Sequence, residues 1–215
     1  AILAGINELI DYLCDLKFTD EDIEYLREKN IFSEGFLEYL ANFKFECDVW
    51  AVPEGTAVFP GEPLLTVRGP LIQAQLIETM VLLLINHQSL IATKANRIVR
   101  AAEGRPVMEF GSRRAQGADG AVLGARAAYI GGCVGTACTI SDELFGVPAL
   151  GTMAHSWVQL FDTELEAFRA YAKEYPDSCT LLVDTYNVLK SGVPNAIKVF
   201  DEVLKPLGKR PKGIR

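Results

Sequence analysis

VMEFGSRRAQG, residues Val107–Gly117, runs from strand-forming positions straight into glycine, a hydroxyl and two guanidinium groups. The same grammar returns at IGGCVGT (Ile130–Thr136) and at PALGTMAHSW (Pro148–Trp157), where apolar runs break into glycine, threonine and histidine. A fourth unit, TLLVDTY (Thr180–Tyr186), takes Leu181, Leu182 and Val183 directly into Asp184 and Thr185. Helix-forming segments lie between them. Short apolar strands alternating with helices predict a parallel sheet. In barrels of that kind the chemistry sits where strands end and loops begin. The four tips, 110–114, 135–136, 152–155 and 184–185, are therefore expected to converge on one concave face.

Working outward, the spacing predicts strand 106–110, helix 119–130, a short strand near 131–134 and helix 139–145. Strand 147–151, helix 162–174, strand 180–184 and helix 194–204 follow. Asp119 and Asp162 read as N-caps, Gly131 and Gly146 as helix stops. Residues 105–215 thus make about half of an eightfold barrel. Residues 1–104 read as a separate N-terminal subdomain. It starts with Ile2, Leu3, Ile6, Leu9, Ile10 and Leu13 at helical spacing, then helices from Thr19 and Ser33. At Phe43 the period changes to two, and a small antiparallel sheet is expected from Phe43 to Arg68, with turns at Pro53–Gly55 and Pro60–Gly61. A long helix from about Ile72 to Glu103 ends at Gly104, with a break expected at Asn86–Ser89. The fold class is α/β: an incomplete TIM-like parallel barrel with an N-terminal α/β subdomain containing a small antiparallel sheet.

Composition sets the outer limits. The chain has 215 residues, 49% hydrophobic and 23% charged, which excludes wholesale disorder. A net charge of −7 argues against non-specific nucleic-acid binding. The longest apolar run, Met80–Ile85, falls far short of the roughly 20 residues of a membrane span. Cys14, Cys47, Cys133, Cys138 and Cys179 show no metal-ligand spacing and read as small reduced core residues of a cytosolic protein. The start at Ala1 without Met, inside a helical pattern, and the end at the basic stretch Lys209–Arg215 read as a segment of a longer protein.

Each polar tip has a chemical and a structural reading. Phe110, Gly111, Ser112, Arg113 and Arg114 can hold a flat anionic heteroaromatic by stacking and bidentate hydrogen bonding. Equally, the arginines can anchor the loop to Glu109 or Asp119. His155 can act as base, metal ligand or phosphoryl acceptor. Ser156 beside it lacks the G-x-S-x-G elbow of a hydrolase, and no second His or Cys cluster supports a metal site. Asp184 can bind ribose hydroxyls or magnesium, or cap the next helix. Glu164 and Glu166 read as a solvated helix face, and His87 as a packing residue. Gly131–Thr136 is glycine-rich but lacks the spacing of a phosphate or dinucleotide loop.

Together, EFGSRRAQG, ARAAYIGG, GTMAHSWV and LLVDTY resemble the nicotinate phosphoribosyltransferase family, and the likeness runs from about Ala4 to Arg215. The resemblance implies a type II phosphoribosyltransferase. Such an enzyme makes nicotinate mononucleotide and pyrophosphate from nicotinate and phosphoribosyl pyrophosphate, coupled to ATP hydrolysis through a phosphohistidine. It implies catalytic roles for His155, as the phosphorylated residue, and for Asp184, near the ribosyl hydroxyls. It further implies substrate contacts from Phe110, Ser112, Arg113, Arg114, Thr136 and Thr152. ATP and Mg2+ would be needed, the metal held mainly by substrate phosphates, with no dedicated protein metal site. A cytoplasmic homodimer with no membrane or nucleic-acid partner is implied for the full-length protein, and the segment alone is expected to be inactive. A nicotinamide- or quinolinate-using enzyme and a non-catalytic ligand-binding paralogue are the alternatives.

Overall fold

A computed structural model describes residues 1–215. The chain forms two compact units, Ala1–Leu150 and Gly151–Arg215.

The first unit opens with α1 (Ile6–Asp15), α2 (Asp20–Glu28) and α3 (Glu34–Ala41). Thr19 starts α2 as a capping box. Its hydroxyl accepts from the Asp22 N–H while the Asp22 carboxylate accepts from the Thr19 N–H, so two otherwise orphaned donors are satisfied. Ser33 caps α3 in the simpler way. The antiparallel sheet is shorter than the alternation predicts. It consists of β1 (Asp48–Ala51) paired with β2 (Leu65–Arg68). Phe43–Cys47 stays out of the ladder because a side chain takes the ladder's place. Buried Gln73 accepts from the Glu46 N–H at 2.7 Å and donates to the Lys44 carbonyl at 2.9 Å.

The long helix α4 (Leu71–Ala101) is unbroken, contrary to the expected interruption at Asn86–Ser89. Its polar residues do not leave the helix; they are used by neighbouring segments. Ser89 Oγ accepts from the Ala4 N–H at 3.0 Å and lies 3.2 Å from the Ala4 carbonyl. Gln88, fully buried, donates to Glu8 Oε2 and accepts from Arg126. His87 Nε2 sits 3.2 Å from the Gly120 carbonyl. By length and composition α4 could cross a membrane, but buried Gln73, Gln88 and Ser89 are bonded to protein groups, as in a core helix.

Three parallel segments follow. β3 (Met108–Glu109) pairs with β4 (Gly135–Thr136), and Thr136 bridges Ala149. The strand expected at 131–134 is displaced to 135–136. Gly131 ends α5 (Ala118–Ile130) hard against α4, where an added Cβ would stand 2.5 Å from the Ala92 carbonyl. The chain needs the next residues to turn, and Gly132 does so at φ +105°. Gly117 rather than Asp119 precedes α5, and Asp119 lies in its first turn. α6 (Thr139–Phe145) stops at Gly146 in the left-handed region, as the sequence predicts.

The second unit contains α7 (His155–Val158), α8 (Glu164–Glu174), β5 (Thr180–Leu181), α9 (Val193–Val199) and β6 (Gly213–Ile214). Thr163, not Asp162, caps α8 through the Glu166 N–H. β5 and β6 are parallel, and hydrogen bonds continue the pairing to Val183, whose N–H donates to the Arg215 carbonyl. α9 lies inside a longer helical run, wide turns at Val188–Gly192 and Phe200–Leu204 flanking its regular centre. Phe168, Leu181, Val158, Val199 and Leu204 are completely buried together. Each such side chain contributes about 1.5–3 kcal/mol of burial. Glu164 corrects the expectation of a solvated face: it is buried, with Asn195 donating to Oε2 at 2.9 Å.

Candidate active site

In the first unit the tip after β3 is a tight turn over Ser112–Arg114. Glu109 organises it. One carboxylate oxygen accepts from the Gly111 N–H and the other from Thr136 Oγ1, the latter at 2.6 Å. The loop-anchoring alternative for the arginines is thus not what Glu109 does, and neither Arg113 nor Arg114 forms an ion pair. Both guanidinium groups are exposed, Phe110 and Ser112 are half-buried, and the Ser112 hydroxyl is shielded without a hydrogen-bond partner. Thr136 is fully buried, and its hydroxyl also accepts from the Cys138 N–H at 3.0 Å. A hydroxyl so engaged acts through Glu109, by holding the turn. Cys133 is no nucleophile, since burial, then the nearby Glu109 charge, pushes its thiol up.

In the second unit His155 is the first residue of α7. Its Nδ1 lies 3.2 Å from Thr185 Oγ1 and its Nε2 3.8 Å from Asp184 Oδ1. The imidazole is therefore flanked by a hydroxyl on one nitrogen and a carboxylate on the other. His155 and Asp184 side chains are 53% and 55% exposed, so both can meet a ligand. Asp184 follows the end of β5 because the helical run comes back against that end. At Gly192 an added Cβ would stand 1.9 Å from the Val183 carbonyl, so only glycine permits the approach. Thr152 accepts from Arg215 Nη1 at 2.8 Å. Burial pushes the Cys179 thiol up to about 11, which leaves it a core residue.

Sequence alone assigns no site role to Glu109, Thr185 or Arg215, although Thr185 belongs to the expected 184–185 tip and Glu109 enters as a possible loop anchor. Glu109 directly precedes the Phe-Gly tip and Thr185 directly follows Asp184, so adjacency was a usable signal for both. Arg215 had only the basic stretch before it to mark it.

A family model described as the nicotinate phosphoribosyltransferase (NAPRTase) N-terminal domain matches residues 1–86. A nicotinate phosphoribosyltransferase of Mycobacterium tuberculosis is 47% identical over 207 residues, covering 96% of this chain and 43% of the relative. That of Bacillus subtilis is 45% identical over 202 residues, covering 94% and 41%. The chain spans less than half the length of these relatives. Human nicotinic acid phosphoribosyltransferase superposes with a TM-score of 0.90 at 32% identity, over 100% of this chain and 53% of that one. Nicotinate-nucleotide pyrophosphorylase of Pyrococcus furiosus gives 0.73 at 28% identity, over 95% and 44%. The fold is the α/β architecture of these proteins, with its small antiparallel sheet and a barrel not closed within residues 1–215. Alike in sequence over nearly its whole length and in fold over all of it, the chain is homologous to the N-terminal part of nicotinate phosphoribosyltransferases.

Proposed function

We propose that the intact protein is a nicotinate phosphoribosyltransferase, forming nicotinate mononucleotide and pyrophosphate from nicotinate and phosphoribosyl pyrophosphate, with ATP hydrolysed through a phosphohistidine at His155. The observation that carries this reading is the half-exposed imidazole set between Thr185 and Asp184. Half-exposed, the ring can meet a ligand while Thr185 and Asp184 flank its two nitrogens.

The nicotinate nitrogen is already a nucleophile, so no base has to deprotonate it. It forms the bond to ribose C1 as the C1–oxygen bond to pyrophosphate breaks, and positive charge develops on the sugar in between. Phe110 lies against the pyridine ring and Arg113 meets its carboxylate or the ribose phosphate, with Ser112 and Arg114 as further ligand contacts. Thr152 is a nicotinate contact, and Arg215 donates to its hydroxyl. Thr136 holds the turn through Glu109. Asp184 keeps carboxylate lone pairs for the ribosyl hydroxyls or for a magnesium ion carried on substrate phosphates. Magnesium supplies neutralisation of the departing pyrophosphate.

In the coupling step a ring nitrogen of His155 forms a bond to the γ-phosphorus of ATP and ADP leaves. Water later breaks the nitrogen–phosphorus bond and releases phosphate. The phosphoryl group adds about 1.5 to 2 negative charges beside the site while it is present. That charge organises cations and tightens substrate binding at the expense of ATP. We place the reaction in the cytoplasm, in a homodimer. The five free thiols suit a reducing compartment.

The test is His155→Ala in the intact protein, with ADP release and mononucleotide formation followed in one reaction. Nicotinate-dependent ATP hydrolysis should vanish, because neither Ser156 nor Thr152 has an imidazole's nucleophilicity near neutral pH. Basal transfer should survive in part. Undiminished ATP hydrolysis would reduce His155 to a structural residue.

A further inference from the structure

The helical run that follows the Asp184–Thr185 tip is capped without Thr185. Asn187 Oδ1 accepts from the Lys190 N–H at 2.8 Å, and the Asn187 carbonyl accepts from the Ser191 hydroxyl and N–H. The Thr185 hydroxyl is left for Nδ1 of His155, 3.2 Å away and 30 residues earlier in the chain. The two ends of this contact are not held alike. Leu181, Leu182 and Val183, just before the tip, are buried, and Thr185 itself is half-buried, with a β-branched side chain that is stiff at its first torsion. His155 opens a helix of four residues, and its side chain is 53% exposed. Its other neighbour, Asp184 Oδ1, stands 3.8 Å from Nε2, beyond hydrogen-bond reach. Thr185 therefore supplies the ring's hydrogen bond and is the fixed member of the pair.

We infer that Thr185 is the positioning residue of His155, holding the imidazole in one orientation and one tautomer before a phosphoryl donor arrives. The inference rests on the proposed reading of His155 as phosphoryl acceptor, and it gives a role to the residue beside it. A carboxylate only accepts, whereas a hydroxyl can donate or accept. A lone pair on Nε2 would face the Asp184 charge at 3.8 Å, so Nε2 carries the proton. Nδ1 then bears the lone pair of the neutral ring, and the Thr185 O–H donates to it. Turning the ring over would put a carbon against the hydroxyl and break this bond. Without the hydroxyl, a half-exposed ring has little to stop that turn. With it, the ring is arranged before ATP binds, which shortens the path to a productive geometry. The bond is also weak enough to be given up. The hydroxyl rotates away from Nδ1 as that nitrogen bonds to phosphorus and the bond from phosphorus to the ADP oxygen breaks, while the proton stays on Nε2 beside Asp184.

The experiment compares the intact protein with Thr185→Val, which keeps the side chain's shape and loses the hydroxyl, and with Thr185→Ser, which keeps the hydroxyl. Long-range proton–nitrogen correlation spectra of isotope-labelled histidine read the His155 tautomer without ATP, the signal being identified by its loss in His155→Ala. The unsubstituted protein should show the Nε2–H form, Thr185→Val a mixture of both tautomers, and Thr185→Ser the original form. In nicotinate-dependent ATP hydrolysis, kcat should fall about three- to tenfold in Thr185→Val. The KM for ATP should hold, and Thr185→Ser should recover kcat. A hydroxyl that merely stabilised the fold would lower the thermal midpoint and leave the tautomer alone. Thr185→Ala, measured in the same way, takes the place of the valine variant if that one does not fold. An unchanged tautomer in the folded variant, or a raised KM with kcat intact, would overturn the role. The tautomer is read in the resting protein, so the two readings fail separately. A shift in Thr185→Val with no phosphate uptake by the unsubstituted protein would sink the phosphohistidine and leave Thr185 as the residue that orients the ring.

Discussion

Arg215 Nη1 donates to Thr152 Oγ1 at 2.8 Å, across a sequence separation of 63 residues. A threonine read as a nicotinate contact thus has a guanidinium at its back. Arg215→Met should weaken nicotinate far more than its uncharged amide, because a charge-assisted bond is lost to one ligand and not to the other. The expected loss is about 1.5–3 kcal/mol, roughly ten- to a hundredfold in KM. Parallel KM measurements for the acid and the amide check it, and an equal change for both ligands would confine Arg215 to orienting Thr152.

Arg113 is open to the same comparison. It is exposed and makes no ion pair, so its removal leaves no buried carboxylate stranded. Arg113→Ala should therefore leave the thermal midpoint within a degree or two while discrimination between nicotinate and nicotinamide collapses. A preserved ratio of the two affinities would move Arg113 to phosphate binding.

Gly192→Ala should be the most damaging single methyl in the second unit. The new Cβ would fall 1.9 Å from the Val183 carbonyl, a backbone atom that cannot step aside without carrying Asp184 with it. Overpacking typically costs about 1–3 kcal/mol, and a backbone clash this close belongs at the upper end. Urea denaturation reads the stability loss. Any variant protein that folds should show a lowered kcat, since Asp184 and His155 no longer face each other at the native distance.

Arg126 ties the first unit together, with Glu8 and Glu54 each 2.6 Å away and all three side chains largely buried. Burial pushes the Glu54 carboxyl up, but the Arg126 guanidinium and the N–H groups of Gly5 and Ile6 outweigh it and hold it below the ordinary range. A carboxyl lowered in the folded state contributes stability above its unfolded pKa of about 4.3, and that contribution is lost as pH falls through the folded value. Arg126→Met should cost about 3 kcal/mol at neutral pH, by stranding two carboxylates. It should also flatten the acid limb of the stability curve. Urea midpoints between neutral pH and the acid limb check both. An unchanged acid slope would show that Glu54 does not report through Arg126.

What the sequence determined by itself is the order of most elements and the points, at Phe110 and Asp184, where apolar runs give way to polar residues. α6 and its glycine stop, the start of α2 at Thr19, and the switch from apolar strand to polar tip at Phe110 and at Asp184 are all local signals. They depend on residues within one or two turns of each other, so a single sequence displays them. The same holds for the family resemblance carried by EFGSRRAQG and GTMAHSWV.

Tertiary structure decided how each polar group is used, because a hydrogen-bonding partner is chosen by packing and not by spacing. Gln73 replaces a stretch of β-ladder, Gln88 and Ser89 serve other segments without breaking α4, and Glu164 is buried beside Asn195. Thr136 turns inward to Glu109, whereas His155 meets Thr185 and Thr152 meets Arg215 across 30 and 63 residues. A buried polar atom must find a partner or lose about 1–3 kcal/mol, and which partner lies within reach is known only once helices and strands have closed on one another.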